Sequence, residues 1–296
     1  MRFNLNEKRK LRKQDKLKRE FLRYYRHTED PEIIEMIQHI KRTGKFEMMN
    51  CLLSRNYDYT SFQVDVIEDK TTGLKYVWDE SGKRIFFPRN KTKEAVEEIY
   101  RAIKKEQDIY SPHCYLNEED VLQIKKAHEG GKYIRIFELG AAEALFSLSL
   151  LEYADEVHIF ESNQEWIEAL YCTFGEEKHK VKITNKYVTD VNNNDEISLD
   201  WYIKGLKKVE DVFDIVKMDI EGAEVRALAG MKEFIQPNHK FMAFVCAYHG
   251  QDDEKKIREI FTNYPVENTR GFFCFYTAED YWKPYVRRCL LKVKNI

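Results

Sequence analysis

Hydrophobic residues change their spacing along the chain, and the changes mark out its elements. Over 30–44 the apolar positions Ile33, Ile34, Met36, Ile37 and Ile40 recur at helical spacing, with Asp30-Pro31 as a start and Gly44 as a stop. Over 57–88 the period drops to two. SFQVDVI, LKYVW and RIFF read as short strands of a small meander, with turn residues at 71–73 and 80–83. Helical spacing returns over 91–107 and 117–128. Ser111-Pro112-His113-Cys114-Tyr115 separates the two helices, and Gly130-Gly131 closes the second.

From Tyr133 onward the pattern alternates between unbroken apolar runs and amphipathic stretches. The runs at 133–137, 157–160, 181–188, 213–218 and 241–248 predict buried strands. Helices are expected at 144–153, at 163–174 capped by Asn163, from about Asp200, at 223–235 stopped by Pro237, and at 252–261. Asn192 to Glu196 reads as a loop. Short runs at 266–269 and 271–276 suggest a final antiparallel hairpin. The sum is an α/β, Rossmann-like sheet of seven strands, the last antiparallel, with helices on both faces. Residues 1–130 then form an accessory region of helices and a small β meander, and 131–296 the main domain.

Ligands of such sheets bind outside the carboxyl ends of the strands, so charged residues there are the candidate chemistry. Glu138 ends the first strand and Glu161 the second. Glu161 follows Gly140 at the roughly 20-residue spacing of a carboxylate that grips ribose hydroxyls. A pyrophosphate site wants glycines where Ala142 and Ala144 stand, and Glu143 would repel a phosphate. A cationic cofactor fits better, and S-adenosyl-L-methionine carries both a sulfonium and an ammonium. A dinucleotide-dependent oxidoreductase on the same fold is one alternative, and a non-catalytic RNA- or anionic-surface-binding protein using the basic residues 1–26 is the other. The turn of Glu138, Gly140, Ala141 and Ala142 would hold the methionine portion, with Glu161 and Ser162 at the ribose. Asp190, ending the third strand, is a candidate for the adenine amino group or else a plain loop aspartate.

Lys217-Met-Asp-Ile-Glu-Gly-Ala-Glu224 runs a buried strand straight into charged groups at a helix start. Glu224 and Glu221 suit the positive end of the helix, and Asp219 could cap it. Lys217 lies in the buried part and needs a partner, most simply Asp219 or Glu221. Tyr248-His249 ends the next strand, one strand over from Asp219. An unperturbed histidine suits a base that accepts a hydroxyl proton, so His249, Asp219 and Lys217 are the catalytic candidates. Glu221, Tyr248, His113 and Tyr115 are candidates for substrate or lid contacts. Spacing alone defines no metal site; a cation on Asp219, Glu221 and Asp252 is the lesser alternative.

Composition narrows the rest. Among 296 residues, 49 Lys and Arg stand against 51 Asp and Glu, so the whole chain is not an electrostatic binder of nucleic acid or membrane. Residues 1–26 are locally basic. They read either as an arm for RNA or an anionic membrane surface, or as a helix packed through Leu11, Leu17, Phe21, Leu22 and Tyr25. Six scattered cysteines without a C-x-x-C pair, and no long apolar run or signal peptide, point to reduced thiols in the cytoplasm. A small-molecule or glycan acceptor is the expected partner, nucleic acid is not, and a homo-oligomer stays open. The C-terminal aromatics Phe273, Tyr276, Tyr281 and Trp282 are expected in the pocket wall.

ELGAAEALFSLSL, VHIFES, ISLDWYI, IVKMDIEGAEVRALAGM and AYHGQDD, in this order over 133–253, resemble the FkbM-type methyltransferases. The resemblance implies a class I S-adenosylmethionine fold and O-methylation of sugar or polyketide hydroxyls. It maps the family's acidic glycine motif to Glu138 and Gly140 and its ribose carboxylate to Glu161. Its K-x-D-x-E-G-x-E signature falls on Lys217, Asp219, Glu221, Gly222 and Glu224. Ala144 replaces a common glycine, and Ser162 the usual proline.

Overall fold

The computed structural model of the protein describes residues 5–44, 49–50, 63–109, 111–274 and 283–296. Its main sheet has seven strands: β1 (Tyr133–Leu139), β2 (Glu156–Phe160), β3 (Val181–Thr184), β4 (Val212–Met218), β5 (Lys240–Cys246), β6 (Val266–Asn268) and β7 (Leu290–Asn295). Their spatial order is β6-β7-β5-β4-β1-β2-β3. The pairs among β1 to β5 are parallel, and β7 runs antiparallel to both of its neighbours. This is the α/β, Rossmann-like sheet that the alternation predicts.

Pleating explains why β1, β4 and β5 read as unbroken apolar runs. Ile134 and Ile136 of β1 join Ile215 and Phe244 in one core, while Phe137 and Leu139 join Val216 and Val245 in the other. The first core also takes in Phe87, Tyr100, Ile103, Tyr115 and Ile124 from the N-terminal part of the chain. The strand order reverses between β1 and β4, which puts a crevice outside their carboxyl ends.

The N-terminal elements dock on this frame. Asp30 caps the helix Pro31–Thr43 through the amides of Glu32 and Ile33, and Gly44 closes it in the left-handed conformation. Phe21 and Tyr25, in and just after the basic helix Leu5–Tyr24, are buried with Ile33, Met36, Ile40, Phe272, Tyr285 and Val286. Leu17 is buried as well, and the side chain of Leu11 lies outside the described residues. The meander Ile67–Glu68, Lys75–Trp78, Arg84–Phe87 lies against the helix Gln164–Thr173, where the Phe86 amide donates to Thr173 Oγ1 at 3.0 Å. Among the described residues no helix is long and apolar enough to cross a membrane.

Some expected elements differ. Phe272–Cys274 is not the last strand of the main sheet; it pairs with Val286–Arg288 and Met49–Asn50 in a small separate sheet. The antiparallel partner of β5 is β7, a segment outside the expected strands that carries Lys292 and Lys294. Asp120, fully buried on the helix Glu118–Glu129, pairs with both at 2.5 and 3.0 Å. The strand expected over 181–188 breaks after Thr184, and Tyr187–Val188 pairs with Glu196–Ile197, at the end of the expected loop. The helices expected at 144–153 and 223–235 are only Leu145–Leu150 and Glu224–Ala229. Tyr276, Tyr281 and Trp282 lie outside the described residues, as does the side chain of Phe273.

The turn after β1 is built from left-handed residues: Gly140, Ala142 and Ala144 have φ of +73°, +47° and +59°. At Gly140 a Cβ would overlap the backbone carbonyl of Asp219, so only glycine fits there. At the other two positions alanine is strained by about 1–2 kcal/mol. Gly140→Ala is therefore expected to lose about 3 kcal/mol or more of stability, and Ala142→Gly to gain about 1 kcal/mol, both read from urea denaturation. Equal effects of the two substitutions would contradict this reading of the turn.

Candidate functional site

At the carboxyl ends of β1, β2 and β4 lies a cavity of about 380 Å³, within the range of small-ligand sites. Its floor is the turn after β1. The Glu161 carboxylate, at the tip of β2, accepts from the Ala142 amide at 2.8 Å and from the Asn163 amide at 2.7 Å. It thus faces the turn across the crevice and fixes its shape. Glu138 is buried beneath and accepts from the Ser147 amide at 2.9 Å, tying β1 to the helix Leu145–Leu150.

Lys217 stands opposite Glu138 in register and is buried. Its ammonium donates to the Gly140 carbonyl and lies 4.0 Å from Glu138, so the partners are not the expected Asp219 or Glu221 at direct contact. Burial works against its charge, but Asp219 and Glu138 outweigh that and raise its pKa. Asp219 continues the sheet, donating its amide to Leu139 O at 3.0 Å. Burial alone would raise its carboxyl pKa; His113, Lys217 and Tyr115 outweigh that and hold it well below the usual carboxylate range. Glu143, half-buried at the mouth of the turn, is pushed up to about 7 by burial. Burial also raises Glu106 on the facing helix Lys93–Glu106.

A second cluster adjoins Asp219. The Tyr115 phenol donates to Asp219 Oδ2 at 2.7 Å and lies 3.3 Å from His113 Nε2. Tyr248 Oη lies 3.3 Å from the same nitrogen and 3.4 Å from Asp219 Oδ1. Cys246 Sγ approaches both His113 and Tyr115 at 3.6 Å. The whole 111–115 segment is buried, brought from the N-terminal region onto the tips of β4 and β5.

His249 is not the free base expected of it. Its Nδ1 lies 2.8 Å from Glu224, and its Nε2 3.4 Å from Glu221 and 3.5 Å from Asp219. Burial lowers its pKa, but contact with the Glu221 and Glu224 carboxylates outweighs this and raises it to about 10. It is an imidazolium at neutral pH and has no lone pair to offer. Nor does it line the cavity. Arg287 holds its loop by donating to the carbonyls of Tyr248 and His249 at 2.8 and 3.0 Å.

Of the residues singled out in the sequence, Glu138, Gly140, Ala141, Ala142, Glu161, Ser162, Lys217, Asp219, Glu221, His113 and Tyr115 line one cavity. Tyr248 reaches Asp219 from behind it. Asp190 does not line it: its carboxylate is exposed and paired with Arg226 at 3.1 Å, because the chain turns away after Val188. Asp252 is exposed, and the metal-ligating groups that converge among the described residues are His113, Asp219, Cys246 and Asp219, Glu224, His249 instead. Sequence reading missed Glu106, Gln107 and Cys246. Cys246, two residues before Tyr248 on a strand that ends at the site, carried a signal; the helix-borne pair carried none.

No family model matches the chain, and no curated protein matches it. Solved structures do. A precorrin-6y C5,15-methyltransferase from Geobacter metallireducens is 10% identical over 61% of this chain and 89% of its own, with a TM-score of 0.37. An rRNA methylase from Streptococcus thermophilus is 6% identical over 58% and 93%, at 0.36. Trm5b from Pyrococcus abyssi is 12% identical over 78% and 62%, also at 0.36. Likeness at this level reaches no further than the sheet architecture already described.

His249 supplies the test of the site's electrostatics. Its folded pKa of about 10 exceeds the unfolded value of about 6.5. Its contribution to stability is therefore complete below about pH 6.5 and is lost as pH rises toward 10. NMR of the histidine rings is expected to show His249 unchanged between about pH 6 and 8. His249→Gln, which leaves the buried Glu224 charge without its cation, is expected to cost about 3 kcal/mol. A His249 midpoint near 6.5 would contradict the assignment.

Proposed function

We propose that the chain is an S-adenosyl-L-methionine-dependent methyltransferase that methylates a hydroxyl of a sugar or other small-molecule acceptor. The observation that carries the reading is the charge of the cavity. Among the described residues, Glu106, Glu138, Glu143, Glu161, Asp219 and Glu221 line it against Lys186 and Lys217, with no arginine. Such a lining repels a dinucleotide's pyrophosphate and suits a ligand that brings an ammonium and a sulfonium. The order of the sheet, with an antiparallel β7 between β5 and β6, is the finish expected of a methyltransferase sheet.

In this reading Glu161 accepts from the ribose hydroxyls while keeping the turn in shape. Glu143 and Glu138 face the ammonium, and Phe160, Tyr187 and Val188 receive the adenine. The acceptor enters on the side of Asp219, His113 and Tyr115. Methyl transfer is an in-line displacement at carbon, so positioning and exclusion of water supply most of the acceleration. The ionised Asp219 orients the acceptor hydroxyl by accepting its hydrogen bond. With so low a pKa it takes the proton only late, once the new carbon–oxygen bond has made that hydroxyl strongly acidic. The assignment to an FkbM-type enzyme rests on the motifs at Glu138–Gly140, Glu161 and Lys217–Glu224.

Titration calorimetry with S-adenosylhomocysteine tests the site. Glu161→Ala is expected to weaken binding tenfold or more, the loss of about 1.5–3 kcal/mol from charge-assisted hydrogen bonds. Glu143 sets the pH dependence. Its pKa of about 7 in the free protein means that a cationic ligand must displace a proton below that pH. Affinity is expected to rise as pH increases through about 7 and then level off. At pH 7 about half a proton is expected to be released per site, read from buffers of different ionisation enthalpy, and none in Glu143→Gln. Binding unaffected by Glu161→Ala would overturn the reading.

A further inference from the structure

The basic helix Leu5–Tyr24 has two faces, and they differ in kind. Leu17, Phe21 and, just past its end, Tyr25 are buried against the rest of the protein. The opposite face is a line of cations. At about 100° per residue, Arg12, Lys16, Arg19 and Arg23 fall within an arc of about 60° facing away from Phe21, along about 17 Å of helix. Arg26 follows in the turn after it, and all five side chains are exposed. Lys16 has Glu20 at 3.9 Å. Among the described residues the guanidiniums of Arg12, Arg19, Arg23 and Arg26 have no ion-pair or hydrogen-bond partner.

The charge of the chain is segregated in the same sense. Residues 1–27 carry 11 Lys and Arg against 3 Asp and Glu, whereas residues 28–296 carry 38 against 48. The arginines of the elements packed beside the helix are spent. Arg270 pairs with Glu35 at 2.9 Å, Arg288 with Asp30 at 3.1 Å and with Glu32, and Arg287 holds the Tyr248 and His249 carbonyls. Among the described residues the unpaired arginines here therefore form one straight line on a convex helix, which a flat anionic surface can meet along its length. An RNA strand led from that helix to the cavity would have to pass carboxylates of its own sign.

We propose that the helix Leu5–Tyr24 docks the protein on an anionic lipid bilayer through Arg12, Arg19, Arg23 and Arg26. A helix-borne cluster of about four to eight Lys and Arg is what the charge of such a leaflet attracts. The contact is electrostatic: the apolar face is already buried in the protein, so none is left to enter the acyl region. The acidic remainder does not prevent it, because repulsion beyond about 8 Å is screened at physiological salt. The helix is also joined to the acceptor side of the cavity. Tyr25 Oη accepts from the Val286 amide at 3.4 Å, and the next residue, Arg287, holds the carbonyls of Tyr248 and His249. On the methyl-transfer reading, on which this one extension rests, the acceptor is a hydroxyl of a glycan carried by a membrane lipid.

Co-flotation of the untagged full chain with vesicles tests docking without cofactor or acceptor, so its outcome is separate from that of the methyl-transfer reading. Binding is expected to phosphatidylcholine vesicles containing about 30% phosphatidylserine, and not to phosphatidylcholine alone. It is expected to fall steeply as salt rises from about 0.1 M to about 0.5 M. Replacing all four arginines (Arg12→Gln, Arg19→Gln, Arg23→Gln and Arg26→Gln) is expected to weaken binding by about a hundredfold or more. Because these side chains are exposed and unpaired, the variant is expected to keep the wild-type unfolding midpoint. A single-stranded RNA of about 20 nucleotides, added at equal anionic charge, is expected to leave the protein on the vesicles. Wild-type protein that does not float with anionic vesicles, equal binding to neutral ones, undiminished binding by the fourfold variant, or displacement by the RNA would overturn the proposal.

Discussion

A single buried ammonium, that of Lys217, holds the working edge of the sheet together. A lone charge so deep would cost several kcal/mol, so its surroundings must answer it. The Gly140 carbonyl, the Glu138 carboxylate and the nearby Asp219 do so, and its ammonium lies 5.2 Å from the centre of the Tyr115 ring. The requirement propagates. Gly140 reaches Lys217 only because no Cβ stands between it and the Asp219 carbonyl. Asp219 stays ionised, and Tyr115 is drawn in from the N-terminal region to donate to it. Binding turn, strand tip and docked segment are thereby set by one cation.

The second consequence is the sign of the crevice. Lys217 is spent on the turn, and the remaining carboxyls face the cavity. Burial raises Glu106, Glu138 and Glu143 because no cation answers them fully in the free protein. A site with unanswered carboxyls is poised for a positive ligand, just as a ring of amides at a helix N-terminus is poised for an anion. His249 belongs to the other side of this balance. It answers Glu224 and Glu221, and so stabilises the loop after β4 rather than moving protons.

Much of this was legible in the sequence, for a simple reason. Strands buried on both faces leave unbroken apolar runs, and a charge that interrupts such a run at its end has few explanations. Glu138, Glu161, Lys217 and Asp219 stood out on that ground, and all four meet at one cavity. What stayed hidden depended on partners distant in the chain. β7 is absent from the expected strands: Lys292 and Lys294 interrupt its apolar run, and Asp120, far away in the chain, pairs with both. His249 looked like a base because its carboxylate neighbours could not be counted. Cys246 looked like an ordinary buried thiol until His113, from more than a hundred residues upstream, was found beside it.

The central claim is that this crevice receives a cationic, sugar-bearing methyl donor and not a pyrophosphate. Thermal unfolding of the protein in the presence of S-adenosylhomocysteine, and separately of NAD and NADP, tests it most directly, since a ligand of the folded state alone raises the midpoint by mass action. S-adenosylhomocysteine is expected to raise the midpoint by several degrees and the dinucleotides to leave it unmoved. A rise with NAD or NADP and none with S-adenosylhomocysteine would contradict the claim.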